Sequence, residues 1–256
     1  MYHRVGTVRL AAESAYCVTP KRFAAHMLAL ANAGYRAVPI DRLAAWLKGG
    51  PELQPEEFVL TFDDGYLGVR DHAQRVLERL GWPYSVFLIT GLLGGRDAWA
   101  RFDQAEGGAY PLLSRGDVLA MRERGCSFHS HTRSHANLTM LDDGPLAAEL
   151  AGSRADLAQL LGNDGPTYLA YPYGHVDDRV ESAARAAGYE AAFSVQPGFN
   201  RRGENIFRIR RLNVHGDDTP AALLRKVRFG SNDGSLRQSL TYFTRRIAAH
   251  IGGRAA

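Results

Sequence analysis

The sequence predicts an α/β fold of parallel strands joined by helices, and three observations carry that prediction. Strand-like and helix-like segments alternate for most of the 256 residues. The polar residues suited to chemistry cluster where apolar, strand-like runs end. The composition, 45% hydrophobic and 23% charged, is that of a globular chain long enough to bury a substantial core. This patterning fits a barrel and a doubly wound sheet equally.

Taken in order, residues 2–19 form an irregular start with one short apolar patch. Pro20 opens a helix, with Phe23, Met27, Leu28, Leu30 and Ala31 at helical spacing and Gly34 as its stop. Tyr35 to Ile40 reads as a strand, and Asp41 caps a short helix through Trp46 and Leu47 that ends at Gly49-Gly50. Phe58 to Phe62 is the next strand, a helix runs through Val69, Val76, Leu77 and Leu80, and Tyr84 to Ile89 is a strand again. Residues 91–113 are rich in glycine, with Trp99, Phe102 and Tyr110 among charges, which suits a substrate-binding loop or a plain surface loop. Ser114 starts a helix to Arg124, and Ser127 to Ser130 is a short strand. Asp142 to Leu161 is a long helix with Leu146, Leu150, Leu157, Leu160 and Leu161 on its apolar face. A strand (Thr167 to Tyr171), a helix (Asp177 to Ala187) and a strand (Ala191 to Val195) follow. Ile206 to Val214 contributes one or two more strands, and Thr219 to Arg228 a helix. One domain over 1–230 results. The tail, 231–256, holds a basic amphipathic helix whose apolar face either packs on the domain or docks to a membrane surface or partner.

Net charge is +4, which tolerates an anionic partner, and no basic-aromatic stripe or nucleic-acid motif is present. Cys17 and Cys126 are the only cysteines and suggest no disulfide framework. No run reaches the roughly 18 apolar residues of a membrane span. Met1 to Arg9 lacks the apolar core of an export signal, so the chain as written reads as cytoplasmic, and as periplasmic or extracellular if an export segment precedes it. No Gly-x-Ser-x-Gly elbow, phosphate-binding glycine loop or dinucleotide fingerprint appears.

The chain turns on Val59-Leu60-Thr61-Phe62-Asp63-Asp64-Gly65-Tyr66, an apolar run that ends in two carboxylates and a glycine. Packing explains adjacent aspartates at a strand end poorly, because an ionised carboxylate resists burial without a partner. Further on, Phe128-His129-Ser130-His131-Thr132-Arg133-Ser134-His135 gathers three of the nine histidines. The spacing of His131 and His135 suits two imidazoles converging on one metal. With one aspartate added, the set leaves open positions for water and substrate, and the spare aspartate is a candidate general base.

Thr61-Phe62-Asp63-Asp64-Gly65, Ser130-His131-Thr132-Arg133-Ser134-His135 and Tyr171-Pro172-Tyr173-Gly174 resemble, in order and spacing, the first three motifs of the carbohydrate esterase family 4 polysaccharide deacetylases. The opening Tyr2-His3-Arg4-Val5 is similar to a branch containing exopolysaccharide deacetylases, and the likeness runs over roughly residues 1–215. The resemblance implies a distorted, incomplete (β/α)7 barrel and a hydrolase that removes N-acetyl groups from an amino-sugar polymer, with an N-acetylated glycan as its partner. It assigns Asp64, His131 and His135 to one divalent metal, zinc first and cobalt, nickel or iron as alternatives. It makes Asp63 the base and gives the Tyr173 backbone N–H to the oxyanion.

One position departs from the family pattern, and one role is left open. Ala170 stands where an arginine commonly contacts the base aspartate, and Arg211 is the candidate replacement. The proton donor to the departing amine is expected at His215, after Leu212-Asn213-Val214, with His3 and His129 as the other candidates. The rival readings are a hydrolase of a non-sugar amide and a carbohydrate-binding module that has kept the fold.

Overall fold

The computed structural model describes residues 1–9, 11–97, 110–162 and 167–235. Short strands come first and pair in parallel, β1 (Arg4–Val5) with β2 (Cys17–Val18) and β3 (Arg36–Ala37) with β4 (Glu57–Phe58). The centre is a curled sheet of five parallel strands, β5 (Thr61–Phe62), β6 (Tyr84–Leu88), β7 (Cys126–Ser130), β8 (Tyr168–Ala170) and β9 (Ala191–Phe193), hydrogen-bonded in chain order. Helices α1 (Pro20–Asn32), α2 (Ile40–Leu47), α3 (Gln74–Leu80), α4 (Arg115–Arg122), α5 (Asp143–Leu161), α6 (Asp178–Ala186) and α7 (Pro220–Phe229) make up the rest of the framework.

The strand faces sort by alternation. Val86 and Leu88 of β6 join an outer cluster with Phe23 and Met27 of α1, whereas Phe87 between them joins an inner cluster with Tyr168 and Phe193. Helix α2 closes that inner cluster with Ile40, Ala44 and Leu47. The opposite end, where the parallel strands terminate, is left for polar groups.

The circuit between β9 and β5 closes without regular strands. Ile209 bridges to Phe193, and Tyr2 bridges to Phe62. Between these bridges the Met1 nitrogen donates to the Leu212 carbonyl at 2.8 Å, and the Val214 N–H donates to the Met1 carbonyl at 3.0 Å. Two irregular segments therefore occupy the remaining strand positions of a distorted (β/α) barrel.

Three local expectations are corrected. The stretch from Ile206 to Val214 is not regular strand, because side-chain amides take backbone groups that a neighbouring strand would take. Asn200 both donates to the Arg210 carbonyl and accepts its N–H, and Asn232 accepts the Asn213 N–H. Phe58 to Phe62 divides into β4, which pairs with β3, and β5, which pairs with β6. Asp41 lies inside the first turn of α2 rather than capping it, and its carboxylate accepts the Tyr168 hydroxyl at 2.7 Å.

Ser114 caps α4 and Asp177 caps α6, each side chain accepting a backbone N–H three residues on. Trp99 and Phe102 of the glycine-rich connection lie outside the described residues, as does the C-terminal helix expected through Ile251. No helix among the described residues is long and apolar enough to cross a membrane.

Candidate metal centre

The site forms where β5, β7 and β8 end. Asp63 and Asp64 directly follow β5, His131 follows β7, and Pro172-Tyr173-Gly174 makes a tight turn after β8. Among the described non-glycine residues, positive φ occurs at Asp64 (72°), Thr132 (65°), His135 (65°) and Tyr173 (58°), all within the three motifs. Side chains rarely adopt this region, so the surrounding contacts hold the backbone there at a cost of order 1–3 kcal/mol each. Gly174 in the same turn has no room for a side chain, since a Cβ would lie 2.2 Å from Val195 Cγ2.

Asp64, His131 and His135 are each buried, and each offers a ligand atom within 4.8 Å of the others. Asp64 Oδ1 lies 3.3 Å from His131 Nε2 and 3.4 Å from His135 Nε2. That oxygen is buried without a hydrogen-bond partner. An orphaned carboxylate oxygen facing two imidazole nitrogens is the environment a divalent cation completes, and the donor set fits one. His131 Nδ1 is 2.7 Å from the Ala170 carbonyl, so the ring donates there and turns its Nε2 lone pair to the site. Burial pushes the His135 imidazole down to about 4, with the neighbouring His131 acting in the same direction. Its ring is therefore neutral and able to ligate near neutral pH. Burial also pushes His131 down, but the Asp64 carboxylate beside it and the Asp63 charge more than offset this and raise it.

Asp63 stands differently. Its two oxygens accept from the two terminal nitrogens of Arg211 at 2.7 and 2.8 Å, a buried bidentate pair. Burial pushes the Asp63 carboxyl up, but the Arg211 charge outweighs it and holds the group well below the usual carboxylate range. The guanidinium is fixed in turn by the Ser194 carbonyl at 3.0 Å. Ala170, where the family places an arginine, is buried, and Arg211 approaches Asp63 from the irregular segment instead.

The candidate proton donors separate by environment. Tyr2 is hydrogen-bonded to Thr61 and Asp63 through its backbone and packs its ring outward on Phe62. His3 follows and lies in the field of the site. Burial pushes its imidazole down, Asp64 and Asp63 pull it up, and the net shift is downward. His215 is half-buried, and its backbone N–H donates to Asp218. His129 is buried inside the barrel against Phe87 and Tyr168, and burial drives it down to about 3. Tyr173 is 51% exposed and lays its ring 4.6 Å from that of His135.

Sequence reasoning missed Thr132. Its hydroxyl accepts the His135 N–H at 3.2 Å, and its carbonyl accepts the Thr90 N–H at 3.1 Å. A threonine between two histidines carries little signal in sequence, because its role depends on a left-handed backbone.

A curled parallel barrel with an Asp-His-His triad at its strand ends defines a metal-dependent hydrolase. The polysaccharide deacetylase family profile matches residues 51–192, more than half of the chain, and the chain belongs to that family. YxkH of Bacillus subtilis (strain 168), named for the same family, is 25% identical over 214 residues, covering 84% of this chain and 70% of its own. The structure of IcaB from Ammonifex degensii superposes with a TM-score of 0.73 at 25% identity, over 90% of this chain and 94% of that one. The Streptococcus pyogenes deacetylase PplD, solved with acetate, gives a TM-score of 0.74 at 21% identity, over 89% and 96%, and shares the fold.

Proposed function

We propose that the protein is a zinc-dependent N-deacetylase of an amino-sugar polymer, with poly-N-acetylglucosamine-type exopolysaccharide as its first substrate. The observation that carries this reading is the pair of unlike buried aspartates. Asp64 faces two imidazoles with an orphaned oxygen, and beside it Asp63 is held ionised by Arg211 without being needed as a ligand. A site built only to bind glycan has no use for a spare buried base. The Tyr2-His3-Arg4-Val5 opening supports the exopolysaccharide choice.

A divalent ion in the triad supplies Lewis acidity to the acetamide carbonyl. Asp63 keeps a second lone pair on each oxygen after binding Arg211, so it can accept the proton of the attacking water. The Tyr173 N–H, presented by the strained turn, serves the oxyanion. His3 donates a proton to the departing nitrogen, which stays on the sugar as an amine while acetate leaves. His3 takes this role over His215 because Tyr2, directly before it, accepts the Asp63 N–H through its carbonyl, whereas the His215 N–H donates to Asp218.

The test is acetate release from N-acetylglucosamine oligomers by chelated protein and by protein reloaded with zinc or cobalt. Release should require metal and fall sharply in His3→Ala. Loss in His215→Ala with turnover kept in His3→Ala would return the donor role to His215. Silence on every oligomer with metal bound would overturn the sugar reading.

A further inference from the structure

Tyr16 is not explained by the chemistry above. It is 48% exposed, and its ring meets that of His3 at 5.3 Å and 83°. An aromatic ring held in place by its support can bury a large apolar face against a ligand at little conformational cost.

The support is firm. The Arg4 N–H donates to the Tyr16 carbonyl at 3.0 Å, and the Tyr16 N–H donates to the Glu13 carbonyl at 2.9 Å. The Arg4 guanidinium binds the Glu13 carboxylate at 2.7 Å, with both side chains buried. Glu13 also accepts the Tyr110 hydroxyl at 2.5 Å, and the Arg4 guanidinium lies 3.4 Å from the centre of the Tyr110 ring. A buried ion pair and two backbone hydrogen bonds therefore present one half-exposed ring beside His3.

The balance of the reaction says what lies there. Water adds to the acetyl carbon, the C–N bond breaks, acetate departs and the donated proton goes to the nitrogen that remains on the sugar. The sugar must occupy the donor's side of the scissile bond, and the acetyl group the other. The Tyr16 ring meets His3, whose chain neighbour Tyr2 accepts the Asp63 N–H through its carbonyl, whereas Tyr173 packs on the metal ligand His135. We infer that Tyr16 is the sugar-side wall of the cleft, a platform on which the apolar face of a pyranose ring stacks. The inference rests on the deacetylase reading and adds a specificity residue to it.

The experiment compares wild type, Tyr16→Ala and Tyr16→Phe with the N-acetylglucosamine pentamer. Two readouts are used: the split between kcat and KM for the metal-loaded enzyme, and titration calorimetry on metal-free protein. Tyr16→Ala should weaken pentamer affinity roughly three- to tenfold, with the loss falling on KM rather than kcat. Tyr16→Phe, which keeps the ring, should recover most of it. Unchanged affinity and KM in Tyr16→Ala, with acetate still released, overturns the wall and leaves the deacetylase reading standing. A loss confined to kcat also overturns it, since Tyr16 would then only hold His3. Wild type that neither binds nor deacetylates the pentamer overturns both.

Discussion

Asp63 and Asp64 are sequence neighbours, and both are buried, yet they belong to two differently built halves of the cleft. On the β9 side, Asp63 receives a permanent counter-charge from Arg211 through two hydrogen bonds. On the β7 side, Asp64 receives two histidines, and one of its oxygens accepts no hydrogen bond. A buried carboxylate needs a partner charge, and the two halves show two ways of supplying it. Arginine gives a fixed charge and leaves an ionised base. Imidazoles that are neutral when ligating give lone pairs and leave the charge to a cation.

The sharpest break of that comparison is to neutralise each aspartate in turn. Asp63→Asn should lower acetate release by about a thousandfold while keeping one metal per chain, because general-base loss costs 10²–10⁴. Asp64→Asn should lose both the metal and the activity. Metal analysis beside the acetate assay separates them. If Asp63→Asn also lost its metal, the division into two halves would be wrong.

Arg211→Ala comes next. It leaves Asp63 as an unpaired buried charge, and breaking such a pair costs about 3–5 kcal/mol, readable by urea unfolding. The folded carboxyl is depressed, so its stabilisation is complete above the unfolded value of about 3.9 and fades as pH falls below it. Without Arg211 the largest charge opposing burial is gone, and the folded value rises. The acid limb of the pH–rate profile should then move to higher pH, and an unmoved limb would show that Arg211 does not set the base.

These halves were unequally legible in the sequence. The β7 half is local: Ser130 to His135 lie together, so spacing alone proposed the ligands. The β9 half joins residues 148 positions apart, and only the family resemblance, with Ala170 in place of the usual arginine, pointed to Arg211. The parallel strands of the central sheet were readable from short apolar runs alternating with helical segments. The closure of the barrel was not, because Asn200 and Asn232 satisfy backbone groups through side chains, and patterning does not register such bonds. The proposed place of His3 beside the aspartates depends on the Tyr2–Phe62 bridge, which brings the first residues of the chain alongside β5.

The smallest expected effect tests how the β7 half is held. His135 has a left-handed backbone, and its N–H is received by the Thr132 hydroxyl. Thr132→Val keeps the branched shape and the strained φ but removes the acceptor, leaving a buried donor unsatisfied at a cost of about 1–3 kcal/mol. Displacement of a ligand through its supporting contact should also weaken zinc binding about tenfold. Thr132→Ser restores the oxygen and should restore most of the affinity, measured by competition with a chelator. Equal zinc affinity in all three proteins would mean that the His131–Ala170 contact alone orients the ligands. Asp63 is carried by β5 and Arg211, so its pH limb should not move in either variant. That independence is what two separately built halves require.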